Sequence, residues 1–458
     1  MPLISSVSGI RGTIGGLPGE GLTPVDIVAY AAAYGKFILN KARTKPCRIV
    51  VGRDARISGE QVCEFVCNTL IAMGIDTVEL GLSTTPTVEM AVIAEQASGG
   101  IIITASHNPE HWNALKLLNE KGEFLSGEEG AIIRDYRNNG DFRFASIQDT
   151  GIRTVKYDYL EYHIDKIMAL EEVDSEAIKK AGFSIVVDGI NSVGGIAVPA
   201  LLQKLGVRKI KIINGEPTGR FAHNPEPLPE HLQDLTHGVL TNRADIGIVV
   251  DPDVDRLAFI CENGKPFGEE YTLVAVADYL LQKKSGNVVS NLSSSNALGI
   301  VAQKYGGKRY TSAVGEVHVV QKMKETNAVI GGEGNGGIIY PPLHYGRDAL
   351  VGIALFLTYL AKLKEPVSKV RQKYPDLFIA KSKISIPGTI QTEELFSRIV
   401  TAFPGAVADY TDGLYLALQK KWIHIRKSNT EPVLRIYSEA DSPDAAEMLA
   451  KSVKKIIE

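Results

Sequence analysis

Cysteine is scarce in this chain, with four in 458 residues. Cys63 and Cys67 sit one helical turn apart without flanking His or further Cys, a poor zinc set. Cys47 and Cys261 stand alone, so all four are expected to be reduced, buried thiols. Net charge is almost absent: 50 basic against 53 acidic residues leave −3, which gives no bulk electrostatic reason to bind nucleic acid or an anionic membrane. Long apolar runs are missing too. No segment reaches about 18 uninterrupted apolar residues, and MPLISSVSGIRG lacks the basic region and apolar stretch of a signal peptide, so the expectation is a cytoplasmic protein. What is present is ordinary. Hydrophobic residues at 44%, charged residues at 22% and a mean hydropathy of +0.00 exclude a disordered chain, a collagen-like repeat and a multi-span membrane protein. At about 150 residues per domain the length implies roughly three domains, whose cores need no disulfide or structural metal.

The 44 glycines point to many tight strand-to-helix turns, and one unit recurs three times. RIVVG (48–52) is a β-branched run, followed by the helical pattern of SGEQVCEFVCNTLIAMG and the strand DTVELG, with Ser58 as the expected N-cap and Gly74 as the stop. The order returns at FSIVVDG (183–189) and again at NVVSN (287–291). Parallel crossovers need helices, so three strand-helix-strand units predict three similar α/β domains with mixed, mostly parallel sheets. After the amphipathic pattern of 348–364 the chain changes to antiparallel hairpins and two helices, a C-terminal α+β domain. The expected boundaries are 1–157, 158–257, 258–367 and 368–458.

Each repeat adds one more apolar strand that ends in a polar loop: GGIIITASHNP (99–109), ADIGIVVDPDVDR (244–256) and NAVIGGEGNGG (327–337). Ligands of open α/β sheets bind beyond the carboxyl ends of strands, so three such loops predict one shared central cleft. In the first loop Ser106 is presented for nucleophilic or phosphoryl chemistry, with a capping hydroxyl as the alternative, and HWNALKLL after it reads as helix-like. The surrounding residues are not the Gly-x-Ser-x-Gly of an acyl-enzyme. In the second loop Asp251, Asp253 and Asp255 alternate, so an extended segment would aim all three to one side, where their repulsion is costly unless a cation neutralises it; hard oxygen ligands suit Mg²⁺, with a solvated acidic turn as the alternative. Arg256 replaces the glycine an EF-hand would need. The third loop offers Glu333 and Asn335 on a glycine-rich backbone that a ligand can approach, without the Lys-Ser/Thr of a P-loop. A fourth loop, Arg426-Lys427-Ser428-Asn429-Thr430 with Arg435 on the next strand, has the groups of a phosphate clamp. Arg11, flanked by Gly, also suits an anion.

Thr-Ala-Ser-His-Asn-Pro (104–109), Asp-x-Asp-x-Asp-Arg (251–256) and Arg-x-Ser-Asn-Thr (426–430), in this order across the whole chain, resemble the α-D-phosphohexomutase family of phosphoglucomutases, phosphomannomutases and phosphoglucosamine mutases. The resemblance implies four domains around one cleft, with Ser106 phosphorylated in the resting enzyme and Asp251, Asp253, Asp255 and the Ser106 phosphate holding Mg²⁺. It places Arg11, His107, Lys116 and Arg256 near the reacting oxygens, Lys116 and Arg11 foremost for proton transfer or charge stabilisation. Glu333 and Asn335 would read the sugar, and Arg426, Ser428, Asn429 and Thr430 would clamp the non-reacting phosphate. Glu316 lies where some relatives have a sugar-contacting His. Asn335 and Gly337 replace the Ser and His of many bacterial members, which leaves the sugar open while the phosphoryl chemistry stands. The implied reaction interconverts hexose 6-phosphate and hexose 1-phosphate through a hexose 1,6-bisphosphate, with glucosamine phosphate ahead of glucose and mannose phosphates. Two other classes compete: a phosphatase with Asp251 as nucleophile, and a non-catalytic sugar-phosphate binder.

Overall fold

A computed structural model describes residues 3–6, 9–42, 47–385, 392–427 and 433–457. Four sheets follow one another along the chain. The first has seven strands, and four of them repeat in the next two sheets. Strands Trp112–Leu118, Gly99–Ile103, Arg48–Arg53 and Asp76–Leu82 lie side by side in that order, the last three mutually parallel and the first antiparallel. Strands Leu257–Cys261, Ile246–Val250, Ser184–Asp188 and Lys209–Ile213 repeat the order and directions, as do Gly337–Ile339, Ile330–Glu333, Val288–Asn291 and Arg309–Ser312. The β-branched central strands are buried along almost their full length, as parallel strands covered by helices on both faces must be. The fourth sheet is antiparallel, in the order Phe378–Ser385, Val433–Ala440, Lys421–Lys427, Leu414–Leu418 and Val407–Asp409, with helices Thr392–Ala402 and Pro443–Ile457.

Several expectations need correcting. Residues Trp112–Leu118 are a strand, because all seven are buried between Gly9–Thr13 and Gly99–Ile103 and so show no alternation of the kind that marks a half-exposed strand. Ser58 precedes helix Gly59–Ala72 without capping it; its hydroxyl instead accepts from Asn113 Nδ2 at 2.9 Å. Helix Ala349–Leu363 is buried all round, from Ala349 to Ala361, with Phe356 stacked on Phe259 at 4.3 Å. It serves the second and third layers at once, so these share one continuous core. Strand Leu257–Cys261 completes the second sheet, which therefore runs past residue 257, and Val370 and Tyr374, beyond residue 368, still pack in the shared core. The four cysteines are free and buried, with Cys63 Sγ and Cys67 Sγ 3.9 Å apart. Among the described residues, no helix is long and apolar enough to cross a membrane.

Candidate active site

In each repeat the functional loop joins the third parallel strand to its antiparallel neighbour: 104–111, 251–256 and 334–336. The three loops and the fourth sheet face a cleft of about 530 Å³. Ser106, His107, Lys116, Arg11, Arg256, Glu316, Glu333, Asn335, Arg426 and Arg435 all line it. Ser428, Asn429 and Thr430 fall outside the described residues.

Ser106 is buried, and its Oγ donates to Asp251 Oδ2 at 2.7 Å, joining the first loop to the second. His107 Nδ1 lies 3.3 Å from the same Oγ. Burial, reinforced by the Arg256 and Arg11 charges, holds His107 well below the usual imidazole range, so the ring is neutral at pH 7. Lys116 Nζ donates to Asp253 Oδ2 at 2.6 Å and to Asp255 Oδ2 at 3.4 Å. Burial would lower it, but these two carboxylates overcome that penalty and hold it as an ammonium. Thr85, at the start of helix Thr85–Ala94, donates its hydroxyl to Asp253 Oδ2 at 2.5 Å.

The Asp triplet is a turn and not the extended segment expected. Val254 takes φ 62° and its N–H donates to the Asp251 carbonyl at 3.0 Å. The carboxylates still converge, with oxygens of all three within 4.8 Å of one another. They share charge unevenly. Burial and the two neighbouring carboxylates push Asp251 well up, while Arg347, Lys116 and Arg256 outweigh burial and draw Asp255 down. Asp253 Oδ1 and Asp255 Oδ1 are buried without a hydrogen-bond partner, a costly state for acceptors. Hard oxygen donors, converging and partly unsatisfied, fit a cation of the Mg²⁺ type.

On the sugar-loop side Arg347, absent from the sequence reading, joins three carboxylates. Nη1 donates to Glu333 Oε2 at 2.7 Å, Nε to Glu316 Oε2 at 2.9 Å and Nη2 to Asp255 Oδ2 at 2.7 Å. Glu333 Oε1 accepts from Asn291 Nδ2 at 2.7 Å and from the Gly315 N–H at 3.0 Å. The glycines of this loop also make room for the protein itself, while Gly334 lines the cleft. A Cβ at Gly336 would stand 2.0 Å from the Leu257 carbonyl, and one at Gly334 would stand 2.1 Å from the Glu270 carboxylate. In the fourth sheet Arg426 and Arg435 are directly opposed on neighbouring strands, and Lys381 lines the cleft beside them. Asp412 Oδ2, 3.1 Å from Arg426 Nε, offsets part of the charge of this opposed pair, and an anion in the cleft would offset more.

Missed by the sequence reading, besides Arg347, are Asp54, Arg56, Thr85, Asn291 and Lys381. Asp54 and Asn291 stand at or just after the end of the first strand in their repeats, so the rule used to find the three loops reaches them when applied to those strands as well.

Family models of the phosphoglucomutase/phosphomannomutase α/β/α domains I, II and III match residues 4–144, 161–264 and 268–378, and the model of the C-terminal domain matches 392–456. The chain belongs to the α-D-phosphohexomutase family. This phosphohexomutase is 34% identical over 98% of both chains to a phosphoglucomutase/phosphomannomutase of Thermococcus kodakarensis. It is 31% identical to a probable phosphoglucosamine mutase of Methanopyrus kandleri, covering 98% of this chain and 96% of that one. Its fold matches a phosphoglucomutase/phosphomannomutase family protein of Burkholderia thailandensis with TM-score 0.85 at 24% identity, over 99% of this chain and 96% of the other. A more distant match is the N-acetylphosphoglucosamine mutase of Aspergillus fumigatus in complex with GlcNAc-6P and magnesium, with TM-score 0.55 and 15% identity over 92% and 85% of the two chains. Phosphohexomutase membership makes the chain an isomerase-class enzyme acting on phosphosugars and sets aside the phosphatase and binding-protein readings.

Proposed function

We propose that this phosphohexomutase interconverts the 6- and 1-phosphates of a hexose through phosphorylated Ser106, with glucosamine phosphate as the preferred sugar. The observation that carries the reading is the 2.7 Å contact of Ser106 Oγ with Asp251, which sets the hydroxyl of a residue at positive φ against a cluster of three buried carboxylates. Asp251, Asp253 and Asp255, with the phosphate of Ser106, would hold Mg²⁺, which when bound supplies charge neutralisation for the transferring phosphoryl oxygens. The chain's own groups do the rest. Arg11, Lys116 and Arg256 offset charge on the oxygens that exchange the phosphoryl group, a task electrostatic preorganisation performs well. The family resemblance favours Lys116 or Arg11 for proton transfer. Lys116 is held as an ammonium by two carboxylates, so His107, neutral and 3.3 Å from Oγ, is the better acceptor for the Ser106 proton when the serine takes back a phosphoryl group.

In the forward step the Ser106 Oγ–P bond breaks as a sugar hydroxyl bonds the phosphorus and gives up its proton, one proton being taken up by the departing Ser106 Oγ, so that a hexose 1,6-bisphosphate and a free serine hydroxyl result. After the sugar turns over, its other phosphoryl group returns to Ser106. Arg426 and Arg435, with Ser428, Asn429 and Thr430, hold whichever phosphate is not reacting, and Glu333, Asn335 and Glu316 face the ring. The glucosamine preference rests on the overall resemblance to phosphoglucosamine mutases rather than on a residue that reads the amine; Glu316 and Glu333 permit it, as carboxylates able to take a 2-ammonium through a contact worth about 1.5 to 3 kcal/mol. Glucose and mannose phosphates are the second reading, favoured by the relative at 34% identity. The test compares kcat/KM for the 1-phosphates of glucosamine, glucose and mannose at equal Mg²⁺ and bisphosphate. Glucosamine is expected to lead; a value about tenfold below either hexose would overturn the preference.

A further inference from the structure

The loop that carries Ser106 is held by a closed circuit of buried polar groups that belongs to neither the metal nor the sugar. Ser106 has φ 49°, in the left-handed region that a residue with a Cβ avoids unless its surroundings impose it. Its N–H donates to Thr104 Oγ1 at 2.9 Å, and the Thr104 hydroxyl donates to Asp54 Oδ2 at 2.7 Å. The same Asp54 oxygen accepts from Arg56 Nε at 3.1 Å, and Arg56 Nη2 donates to the Ser106 carbonyl at 2.6 Å. Both ends of the Ser106 residue are thus gripped by one ring of four residues. Arg56, 1% exposed, spends its other donors on the same loop: Nη2 to the Asn108 carbonyl at 2.6 Å, Nη1 to those of Pro109 at 2.6 Å and Trp112 at 2.9 Å. The circuit also reaches the second loop. The Ala55 N–H donates to Ser192 Oγ at 3.3 Å, and the Ser192 hydroxyl donates to the Pro252 carbonyl at 2.7 Å, between Asp251 and Asp253.

We infer that Thr104, Arg56 and Asp54 are positioning residues that fix the direction of Ser106 Oγ relative to the Asp251 loop, with Ser192 transmitting that register between the two domains. The inference rests on the reading of Ser106 as the phosphoryl-carrying group. None of the four lines the cleft, so their effect is expected on the rate of phosphoryl exchange and not on sugar binding. A misdirection of about 1 Å at a reacting atom costs about a hundredfold in rate, which sets the scale.

Thr104→Val removes the hydroxyl and keeps the shape. It is expected to lower kcat by about tenfold to a hundredfold, with the KM for sugar phosphate within about twofold of wild type, and Thr104→Ser is expected to restore kcat to within about threefold. Ser192→Ala, which opens only the link to the second loop, is expected to lower kcat by a smaller factor at the same KM, and it carries the test if the valine variant does not fold. An unchanged kcat in both Thr104→Val and Ser192→Ala, a KM that rises in step with the loss of kcat, or failure of the serine variant to rescue would overturn the inference. Mass spectrometry of the Ser106 peptide from wild type separates the two levels. A missing phosphoryl group on Ser106 removes the function reading and the positioning role together, whereas a phosphorylated wild type with an unaffected valine variant removes the positioning role alone.

Discussion

Replacing Arg347 by Met tests whether the sugar-loop carboxylates are kept ionised by one guanidinium. The side chain keeps its reach and loses its charge, leaving Glu333, Glu316 and Asp255 without their partner at 2.7, 2.9 and 2.7 Å. The three do not lose equally. Asp255 retains Lys116 at 3.4 Å and Arg256 at 3.9 Å. Glu316, pushed up to about 7 by burial with Arg347 already opposing the shift, moves further up and becomes neutral at pH 7 at little cost. Glu333 carries the loss. Burial raises it, and Arg347, then Asn291 and the Gly315 N–H, bring it net below the ordinary carboxylate value. With Arg347 gone, burial is opposed by those hydrogen bonds and the more distant Arg256, so the pKa rises.

One charge-assisted contact to the sugar is then weakened, worth about 1.5 to 3 kcal/mol, or a factor of roughly 10 to 150 in kcat/KM. The sign of the pH dependence follows from the form that works. The ionised Glu333 binds the ring, and a raised pKa depletes that form at the acid end, so the deficit is largest near pH 6 and shrinks towards about pH 9, while wild type keeps Glu333 ionised throughout. Steady-state kcat/KM for wild type and Arg347→Met across this range is the assay. A deficit below about threefold, or one that stays constant with pH, would show that Arg347 does not set the charge of the sugar loop.

Ser106→Ala should lower turnover by at least about a thousandfold, the scale of a lost covalent route; retention of a tenth of the wild-type rate rules out the phosphoserine. Chelation by EDTA should silence the enzyme and Mg²⁺ restore it, with Asp253→Asn mimicking the chelated state, and full activity in exhaustively chelated buffer would dismiss the metal assignment. Arg426→Ala should raise the KM by the equivalent of about 1.5 to 3 kcal/mol and release more bisphosphate to solution, measured by quenched-flow chromatography. An unchanged KM with no leaked bisphosphate would move the phosphate clamp away from the fourth sheet.

Of the fold, the periodic and β-branched parts were legible in the chain itself: the three repeats, the polar loop after each third strand and the change of architecture near the C-terminal quarter. What escaped did so because burial erases the patterns that sequence reading depends on. Trp112–Leu118 has no alternation since both faces are covered, and the helix expected over 348–364 forms but lacks the polar face assigned to it, since Ala349–Leu363 sits between two layers. The Asp triplet was read as a cation site for the wrong local reason. A turn with Val254 at positive φ, and not an extended strand, brings the three carboxylates together, so residue type mattered more than the assumed geometry.

The residues that were missed share a different property: each acts through contacts far away in sequence. Arg347 follows the sugar loop by 10 residues or more, yet it meets Asp255, 92 residues earlier. Arg56 closes on carbonyls 50 to 56 residues later. No local motif announces such a residue, because an isolated Arg in a loop is equally consistent with a solvated charge. Only the surplus of buried acceptors reveals it: three carboxylates around Arg347, and four loop carbonyls together with Asp54 around Arg56, each set costly to bury without a donor of matching geometry. The division of labour in the cleft follows from that. Short motifs on the loops hold the proposed reacting groups, while two buried arginines stand behind them: Arg56 holds the serine loop within its own domain, and Arg347 joins the sugar loop to Asp255 in the loop of the second domain.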